Sequence, residues 1–288
     1  MKTTKHLSSC PSPCELSAYD HSLLYLWTKR TLYIGEISEL SAVNQAAASF
    51  IVSLENHIEF WTEGMGKPVK THAALIPAGQ ASISANAFSL PVAVCYLDPF
   101  LQDYSAFKTV FSKCIDGIYY ELNGIDQIQK TIKQIFIKKL PADIAYQKLL
   151  TTVFPNKEAY LNAPEVNPKI NIVIDIVKSN PSSNISNAEL AAAVDLSERQ
   201  LQRQFKIATG IPIRRFRLWH RLFITATLMQ FGWSLTDAAL EAGFSDAPHF
   251  NHTFRSMLGM KPSFVLKRQN KIKIFAGSTD TQPETLSS

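Results

Sequence analysis

The sequence predicts an α+β fold, in which a β-rich N-terminal part precedes an all-α C-terminal domain. Three observations support this prediction. Short segments rich in aromatic and β-branched residues come first, apolar residues recur at helical spacing after them, and one helical pattern occurs twice near the C-terminus. Hydrophobic residues make up 46% of the 288 residues and charged residues 18%, as expected for a folded protein with buried cores.

The N-terminal part, residues 1–100, is predicted to be a small antiparallel barrel or sandwich. Polar, Gly or Pro breaks separate five apolar segments that have the composition of strands: LLYLW (23–27), TLYIGEI (31–37), SFIVSL (49–54), HIEFW (57–61) and VAVCYL (92–97). No stretch of about 18 apolar residues occurs, and no apolar run follows the first lysines. We therefore expect neither a membrane-spanning helix nor a secretory signal, and we expect the protein in the cytoplasm.

Residues 101–154 are predicted to be helical. An apolar stripe with the period of an α-helix runs through this segment, and Gln and Lys occupy the opposite face: Ile125, Ile128, Ile132, Ile135 and Phe136. Such a stripe can be core within one chain or the seam of a dimer. The sequence leaves both alternatives open, so a homodimer is one of the expected assemblies.

Residues 155–168 are predicted to be a linker because they contain three prolines and three asparagines. The charge balance changes beyond them. Residues 169–273 hold 15 Lys and Arg against 7 Asp and Glu, whereas residues 1–168 hold 14 against 15. A basic segment joined to a nearly neutral one indicates that only the basic segment meets a polyanion. The polar tail, residues 274–288, is predicted to be disordered.

Two helix-turn-helix units are predicted within the basic segment. In the first unit, Ser186 begins a capping box, and Ser197 can cap a second helix that Gly210 ends. Leu201 and Phe205 face inward on this second helix. Four polar residues share its outer face: Arg199, Gln202, Arg203 and Lys206. Two short helices with a basic outer face on the second match a DNA-binding helix-turn-helix.

The same pattern recurs 49 residues further along the chain. The inward Leu201 maps onto Phe250, and the closing Gly210 maps onto Gly259. The outer face of the second copy carries His249, Asn251, His252 and Arg255. Arg and Gln can bond directly to the edges of bases, whereas the shorter side chains of the second copy suit phosphates. The sequence therefore assigns base reading to the first unit.

Four segments carry a resemblance to a known family: Leu190-Ala191, Leu201-Gln-Arg-Gln-Phe-Lys with Gly210, Ala-Gly-Phe-Ser-Asp-Ala-Pro-His-Phe-Asn-His-Thr-Phe-Arg (242–255) and Gly259-Met-Lys-Pro-Ser263. Over about residues 170–268 they closely resemble the DNA-binding domain of the AraC/XylS family. The resemblance implies seven helices within residues 169–273 and two recognition helices in successive major grooves of double-stranded operator DNA. It also implies a transcription regulator with RNA polymerase as partner, and an effector-responsive, cupin-like sensor domain at residues 1–100.

Three aromatic residues of the N-terminal part are candidates for binding an effector, because small-molecule pockets are largely apolar and aromatic: Trp27, Tyr33 and Trp61. The alternative is that they form the core of a small barrel. Arg30 stands at a predicted strand turn and is expected to face solvent rather than an anionic ligand. The sensor turn of the family often ends in His, whereas this chain has Ser82.

An enzyme is the alternative function, since many cupin-like barrels hold a metal ion. Metal cupins use a close His-x-His pair with further carboxylate and His ligands. The candidates here, His57, Glu59 and His72, include no such pair, and the four cysteines do not form two close pairs. We therefore predict no catalytic residue, metal ion or cofactor. A cupin-type metalloenzyme fused to a DNA-binding module remains the alternative.

Overall fold

The computed structural model places a β-sheet domain at the N-terminus and a helical domain after it. It describes residues 21–28, 30–43, 46–80, 82–97, 103–156, 158–159, 167–259, 262 and 272–277. Within these ranges, every helix is too short or too polar to span a bilayer. The predicted α+β class is therefore confirmed, with the sheet and the helical domain in the predicted order.

The described residues form one ten-stranded sheet. Its strands are β1 (Ser22–Trp27), β2 (Arg30–Val43), β3 (Ala48–Ser53), β4 (Ile58–Trp61), β5 (Val69–Thr71), β6 (Ala73–Ile76), β7 (Ile83–Leu97), β8 (Phe111–Ile115), β9 (Ile118–Leu122) and β10 (Ile272–Gly277). The order across the sheet is β10-β1-β2-β7-β3-β6-β9-β8, and β4 pairs with both β5 and β7. Each of the five predicted strand segments overlaps a strand, and the neighbouring strands pair antiparallel except β1 with β10.

The helices are α1 (Asp103–Lys108), α2 (Ile125–Lys138), α3 (Ala142–Thr152), α4 (Pro168–Ser179), α5 (Asn187–Ala192), α6 (Glu198–Thr209), α7 (Ile213–Gln230), α8 (Leu235–Glu241) and α9 (Ala247–Leu258). The last six, α4 to α9, form the helical domain. The resemblance implied seven helices there, and the remaining part of that segment, 260–261 and 263–271, lies outside the described residues.

Successive residues of a strand point to opposite faces of the sheet, and each face of this sheet carries a core of its own. On β1 and β2, Trp27 and Leu32 belong to a first core with helices α1, α2 and α3. The neighbouring Tyr33 and Ile37 belong to a second core on the opposite face of the sheet. A third core lies within the helical domain, and Ala46 of the N-terminal domain joins it.

The predicted helical segment 101–154 is interrupted by a β-hairpin, so the prediction of helix throughout is wrong. Strands β8 and β9 are joined at Asp116-Gly117, both with positive φ. Asp-Gly supplies the left-handed backbone that a two-residue hairpin turn requires. The aromatic Tyr119 and Tyr120 that follow favour a strand, and this local signal outweighs the helical pattern around it.

The apolar stripe of α2 is core within the chain, which decides between the two alternatives that the sequence left open. Ile128 is 6% exposed and Ile132 is 1% exposed, and both belong to the first core. Ile135 and Phe136 are fully buried there, and Ile125 packs against the same core. The physical reason is that the sheet face opposite α2 is itself apolar and has to be covered.

The tail prediction is wrong for residues 274–277, which belong to strand β10. This strand pairs in parallel with β1, and the Phe275 ring stacks on the Tyr25 ring at a centroid distance of 4.9 Å. Ile272, Ile274 and Phe275 are partly buried, because the open edge of β1 can accept an apolar strand. Residues 278–288 lie outside the described residues. Of the predicted linker, 155–156, 158–159 and 167–168 are described, and the linker remains a prediction.

Arg30 is buried and does not face solvent as predicted. It is 8% exposed, and its guanidinium donates to both carboxylate oxygens of Asp103 at 2.6 Å. It also donates to the Tyr146 hydroxyl and lies 4.3 Å from the centroid of the Phe154 ring. The side chain therefore ties β2 to α1 and α3, a contact that needs partners more than 70 residues away in the chain.

Candidate nucleic-acid interface

The first helix-turn-helix unit consists of α5 and α6, and the structure confirms its predicted capping. The Ser186 backbone N–H donates to Glu189 Oε2 at 2.8 Å, and the Glu189 N–H donates to Ser186 Oγ at 3.1 Å. Ser197 and Gln200 make the same reciprocal pair before α6. Helix α6 ends at Gly210, which has φ 78°. These local bonds satisfy the free amides of both helices and fix where each begins.

Helix α6 separates an apolar face from a polar one. Leu201 and Phe205 are fully buried in the core of the helical domain. The four residues of α6 that are predicted to contact DNA are all exposed on the outside: Arg199, Gln202, Arg203 and Lys206. Ile207 is 76% exposed on the same helix, and the sequence reasoning missed it. Ile207 lies four residues after Arg203 and is not one of the inward-facing positions of α6, so its place on the outer face could have been recognised from the sequence. An exposed apolar side chain on this face is suited to contact thymine methyl groups.

The second unit, α8 and α9, is capped in a related way. The Asp237 N–H donates to Ser234 Oγ at 3.2 Å, and the His249 N–H donates to Asp246 Oδ1 at 2.6 Å. The bond from His249 is the main reason that the pKa of Asp246 is lowered. Helix α9 ends at Gly259, which has φ 72°. The closing glycine predicted for the second unit is confirmed.

The outer face of α9 is less accessible than that of α6. His252 and Arg255 are exposed, whereas His249 and Asn251 are half-buried. His249 Nδ1 lies 3.1 Å from Ser245 Oγ, and its ring meets the Phe244 ring edge-on at 5.3 Å. The structure thus holds His249 within its own unit, while the DNA contacts of all eight predicted residues remain predictions.

The long helix α7 joins the two units. Its Arg221 is 6% exposed, and it donates from Nε to the Pro181 carbonyl and from Nη2 to Asn184 Oδ1, both at 2.9 Å. Gly243, at the end of α8, has φ +95°, and a Cβ there would lie 2.8 Å from the Ser182 Cα. The missing side chain lets the second unit approach the loop before α5, so the two units are held at a fixed spacing.

A cavity of about 110 Å³ lies between the sheet and the helical domain. Its sheet side is made by β1, β2 and β7, and its helical side by α7, α8 and α9. The Tyr96 ring of β7 meets the Trp219 ring of α7 there, at a centroid distance of 5.0 Å. The wall is nearly all apolar: Leu24, Leu26, Thr31, Tyr33, Ile37, Val94, Tyr96, Trp219, Leu222, Phe223, Thr225, Ala226, Met229, Leu235, Phe250, Phe254, Leu258 and Ile272.

The three predicted effector residues do not converge on this cavity, and their contact with an effector remains a prediction. Only Tyr33 lines it. Trp27 is 1% exposed on the opposite face of the sheet, where its Nε1 donates to the Ala142 carbonyl at 3.0 Å. Trp61 is half-buried in β4. Trp27 and Tyr33 were grouped by residue type, but the two-residue period of the strands sends them to different faces.

Of the candidate metal ligands, His57 and Glu59 lie near each other, whereas His72 has a different neighbour. His57 Nε2 lies 3.8 Å from Glu59 Oε1, and His72 Nδ1 lies 3.0 Å from the Asn56 carbonyl oxygen. Across the described part of the chain, no three His, Cys, Asp or Glu residues are grouped closely enough to hold a metal ion.

Comparison with known proteins identifies the helical domain. A family model described as a helix-turn-helix domain matches residues 190–268. The HTH-type transcriptional regulator RipA of Corynebacterium glutamicum is 32% identical over 95 residues, which are 33% of this chain and 29% of that protein. The HTH-type transcriptional regulator GbdR of Pseudomonas aeruginosa is 31% identical over 96 residues, 33% of this chain and 26% of that protein. The chain thus spans less than a third of the length of these curated relatives.

Solved structures of ToxT from Vibrio cholerae share the fold over both domains. One, bound to (E)-4-(8-methylnaphthalen-1-yl)but-3-enoic acid, matches with a TM-score of 0.55 at 14% identity, over 83% of this chain and 99% of that chain. Another, described as bound to an unsaturated fatty acid, has a TM-score of 0.51 at 15% identity, over 83% of this chain and 95% of that chain. At this level of identity, the likeness concerns the arrangement of sheet and helices.

Proposed function

We propose that the protein is a sequence-specific DNA-binding transcriptional regulator of the AraC family that responds to an effector. A helix-turn-helix family model that matches residues 190–268 supports this proposal, as do the HTH-type transcriptional regulators that match about a third of the chain. The observation that carries this proposal is the pair of matched units. Each has a capped second helix closed by a glycine with positive φ, and α7 joins them. Such a pair suits two successive major grooves on one face of double-stranded DNA.

The first unit is proposed to read bases and the second to add mainly phosphate contacts. The exposure of Arg199, Gln202 and Arg203 supports this division, since long side chains that extend into solvent can reach base edges. The half-buried position of His249 also supports this division, because it limits the reach of a side chain in the second unit. The DNA-binding domain then lies within residues 169–271, since Ile272 and Lys273 belong to strand β10, and residues 1–100 belong to the sensor domain.

The effector is proposed to be a small apolar molecule bound in the cavity between the domains. Phe250 and Phe254 line this cavity, and both belong to the second recognition helix α9. An occupant would therefore contact both the sheet and the core that orients α9. A volume of about 110 Å³ is well below the roughly 300–1,000 Å³ of pockets for drug-sized ligands, so the occupant has few heavy atoms unless the domains move apart. The acidic apolar ligands in the ToxT structures support an apolar effector.

RNA polymerase is the proposed protein partner, because a regulator bound at an operator acts on transcription through it. A homodimer is proposed to form away from the α2 stripe. Ile137 and Ile144, on either side of the α2–α3 turn, are 67% and 47% exposed and offer apolar contacts. The proposed location is the cytoplasm, where operator DNA is found.

The alternative, a cupin-type metalloenzyme fused to a DNA-binding module, has no such support. The comparisons point to transcription regulators and not to enzymes. Elemental analysis of the purified protein separates the two, since the metalloenzyme requires about one tightly bound metal ion per chain.

The experiment that tests the proposed function is selection of duplexes from a random library with the full chain. We expect a defined motif, and a log–log slope of affinity against salt that is steeper by about 0.9 for each phosphate contacted. A thermal-shift screen against small apolar metabolites then tests the effector, because a ligand at 100 times its Kd adds about 2.7 kcal/mol of stability. Failure to enrich any motif contradicts sequence-specific binding.

A further inference from the structure

A second cavity, of about 380 Å³, lies between the two helix-turn-helix units, and we call it the interunit pocket. Asn184 and Asn187 line it on the side of the first unit. Ser245 and His249 line it on the side of the second unit. Helix α7 and Gly243 provide the rest of the wall, so both units and the helix that joins them meet around this space.

The interunit pocket is strongly basic. Helix α7 contributes three arginines to its wall, Arg214, Arg217 and Arg221. No Asp or Glu is among the described residues that line it. Burial lowers the pKa of Arg217, and burial and then the neighbouring Arg217 lower the pKa of Arg221. An arginine nevertheless keeps its charge in a protein, so the positive charge of the pocket is uncompensated by its own wall.

The three arginines differ in what they bind within the chain. Arg221 is engaged by the Pro181 carbonyl and the Asn184 side chain. Arg217 is half-buried, and its Nε and Nη2 are shielded from solvent without a hydrogen-bond acceptor among the described residues. Arg214 is exposed. A buried guanidinium nitrogen without an acceptor costs free energy, and an anionic oxygen in the pocket removes that cost.

We propose that the interunit pocket receives a phosphate group of the DNA backbone, at the point where the backbone crosses between the two major-groove segments. This inference rests on the proposed DNA-binding function. A guanidinium fork matches the oxygens of a phosphate, and the Asn and Ser side chains around it can donate further hydrogen bonds. The pocket adjoins Ser245 and His249 at the start of α9, the end of a recognition helix that contacts DNA.

The consequence is a phosphate contact made by both units together. If α6 and α9 occupy successive grooves, the intervening backbone faces the space between the units, where the pocket lies. Gly243 and Arg221 already fix the spacing of the units without DNA, so a bound phosphate meets a preformed site. The pocket thereby sets the register of the two units on the duplex and does not select a base.

The test uses the duplex that the full wild-type chain selects from a random library. Single phosphates of this duplex are replaced, one at a time, by uncharged methylphosphonates, and affinities are measured for the wild type and for Arg217→Gln and Arg214→Gln. At one or two neighbouring positions between the grooves, we expect the replacement to lower the affinity of the wild-type protein for the duplex on the order of tenfold. The same replacement should leave both variants nearly unchanged, and their salt slopes should be shallower by about 0.9.

Lys138→Gln is the matched control, because it removes one positive charge from an exposed position on α2. It should keep the wild-type pattern at every phosphate. Arg214→Gln changes an exposed residue, so the test stands even if Arg217→Gln folds poorly.

Two results would overturn the assignment. One is that both arginine variants lose as much DNA affinity as the wild type when the same phosphates are replaced by methylphosphonates. The other is a combination of two observations: inorganic phosphate raises the Tm of the wild type but not of Arg217→Gln, and no methylphosphonate replacement weakens DNA binding. That combination would assign the pocket to a free phosphate compound. Failure to select any duplex rejects the proposed function itself, whereas a selected duplex to which the variants respond like the wild type rejects only the pocket.

Discussion

Gly79 of the sheet domain lies directly against the carbonyl of Gly210, the residue that ends the first recognition helix. The contact is reciprocal, since a Cβ built on Gly210 would lie 2.6 Å from the Ala78 carbonyl oxygen. Both glycines have positive φ, 79° and 78°. The turn between β6 and β7 can approach α6 this closely because neither residue has a side chain. The two domains therefore meet through backbone atoms at the end of α6.

The first prediction concerns this contact. Gly79→Ala should lower the free energy of unfolding by at least about 1 kcal/mol more than Gly117→Ala. Both variants place a side chain on a left-handed backbone, but only the Cβ at position 79 would also clash with the Gly210 carbonyl oxygen. Gly117 is the matched control, since it has φ +78° and a Cβ placed on it would meet nothing within 4 Å among the described residues. Chemical denaturation of both variants measures the difference. Equal losses would mean that the domains separate without cost.

The second prediction concerns the α2 stripe. Ile132→Ala should destabilise the chain by about 2–5 kcal/mol, because Ile132 is 1% exposed in the first core. Ile172→Ala, on α4 and 48% exposed, should change stability by less than about 0.5 kcal/mol. Denaturation and sedimentation are measured together. If Ile132→Ala shifts the protein from dimer to monomer and leaves its stability unchanged, the α2 stripe belongs to a dimer interface.

The third prediction concerns the two recognition helices. Arg203→Ala should weaken binding by about 1–3 kcal/mol and relax the preference at one base position, since an Arg fork can bond guanine O6 and N7. His252→Ala should cost less and weaken all sequences more evenly. A base-by-base binding profile and the Tm are recorded for both. If Arg203→Ala keeps the wild-type profile, or only His252→Ala changes it, base reading does not belong to α6.

The fourth prediction concerns the buried ion pair of Arg30 with Asp103. Asp103→Asn should destabilise the chain by about 3–5 kcal/mol, because Asp103 is fully buried and its loss leaves the Arg30 charge uncompensated. The exposed pair of Lys113 and Glu121 is the control, and Glu121→Gln should cost less than about 1 kcal/mol. Thermal and chemical unfolding measure both variants. Similar losses for the two would show that the Arg30 charge finds another partner.

Local signals in the sequence were sufficient for the helical domain. A cap such as Ser186 with Glu189 needs residues three positions apart, and a closing glycine marks its own position, so both could be recognised without a structure. The Asp116-Gly117 turn was also local, but it was overlooked because the apolar period of α2 nearby favoured a helix.

Features that depend on distant partners could not be predicted. Arg30 is buried because Asp103 meets it from a helix far along the chain, and nothing beside Arg30 in the sequence indicates this. The separation of Trp27 from Tyr33 could not be predicted for a similar reason, since aromatic residue types do not reveal which face of a strand is covered by another domain. The interunit pocket likewise exists only once α7 brings Arg217 between the two units.

The parallel pairing of β10 with β1 imposes an order on folding during synthesis. The strand that completes this edge of the sheet, Ile272–Gly277, leaves the ribosome after the entire helical domain. Until then β1 presents an unpaired edge, which is a template for association with other chains. The helical domain, whose contacts are mostly local, can form first, and the sheet closes last. A nascent chain that stalls after α9 would therefore carry a folded helical domain beside a sheet whose unpaired β1 edge can associate with other chains.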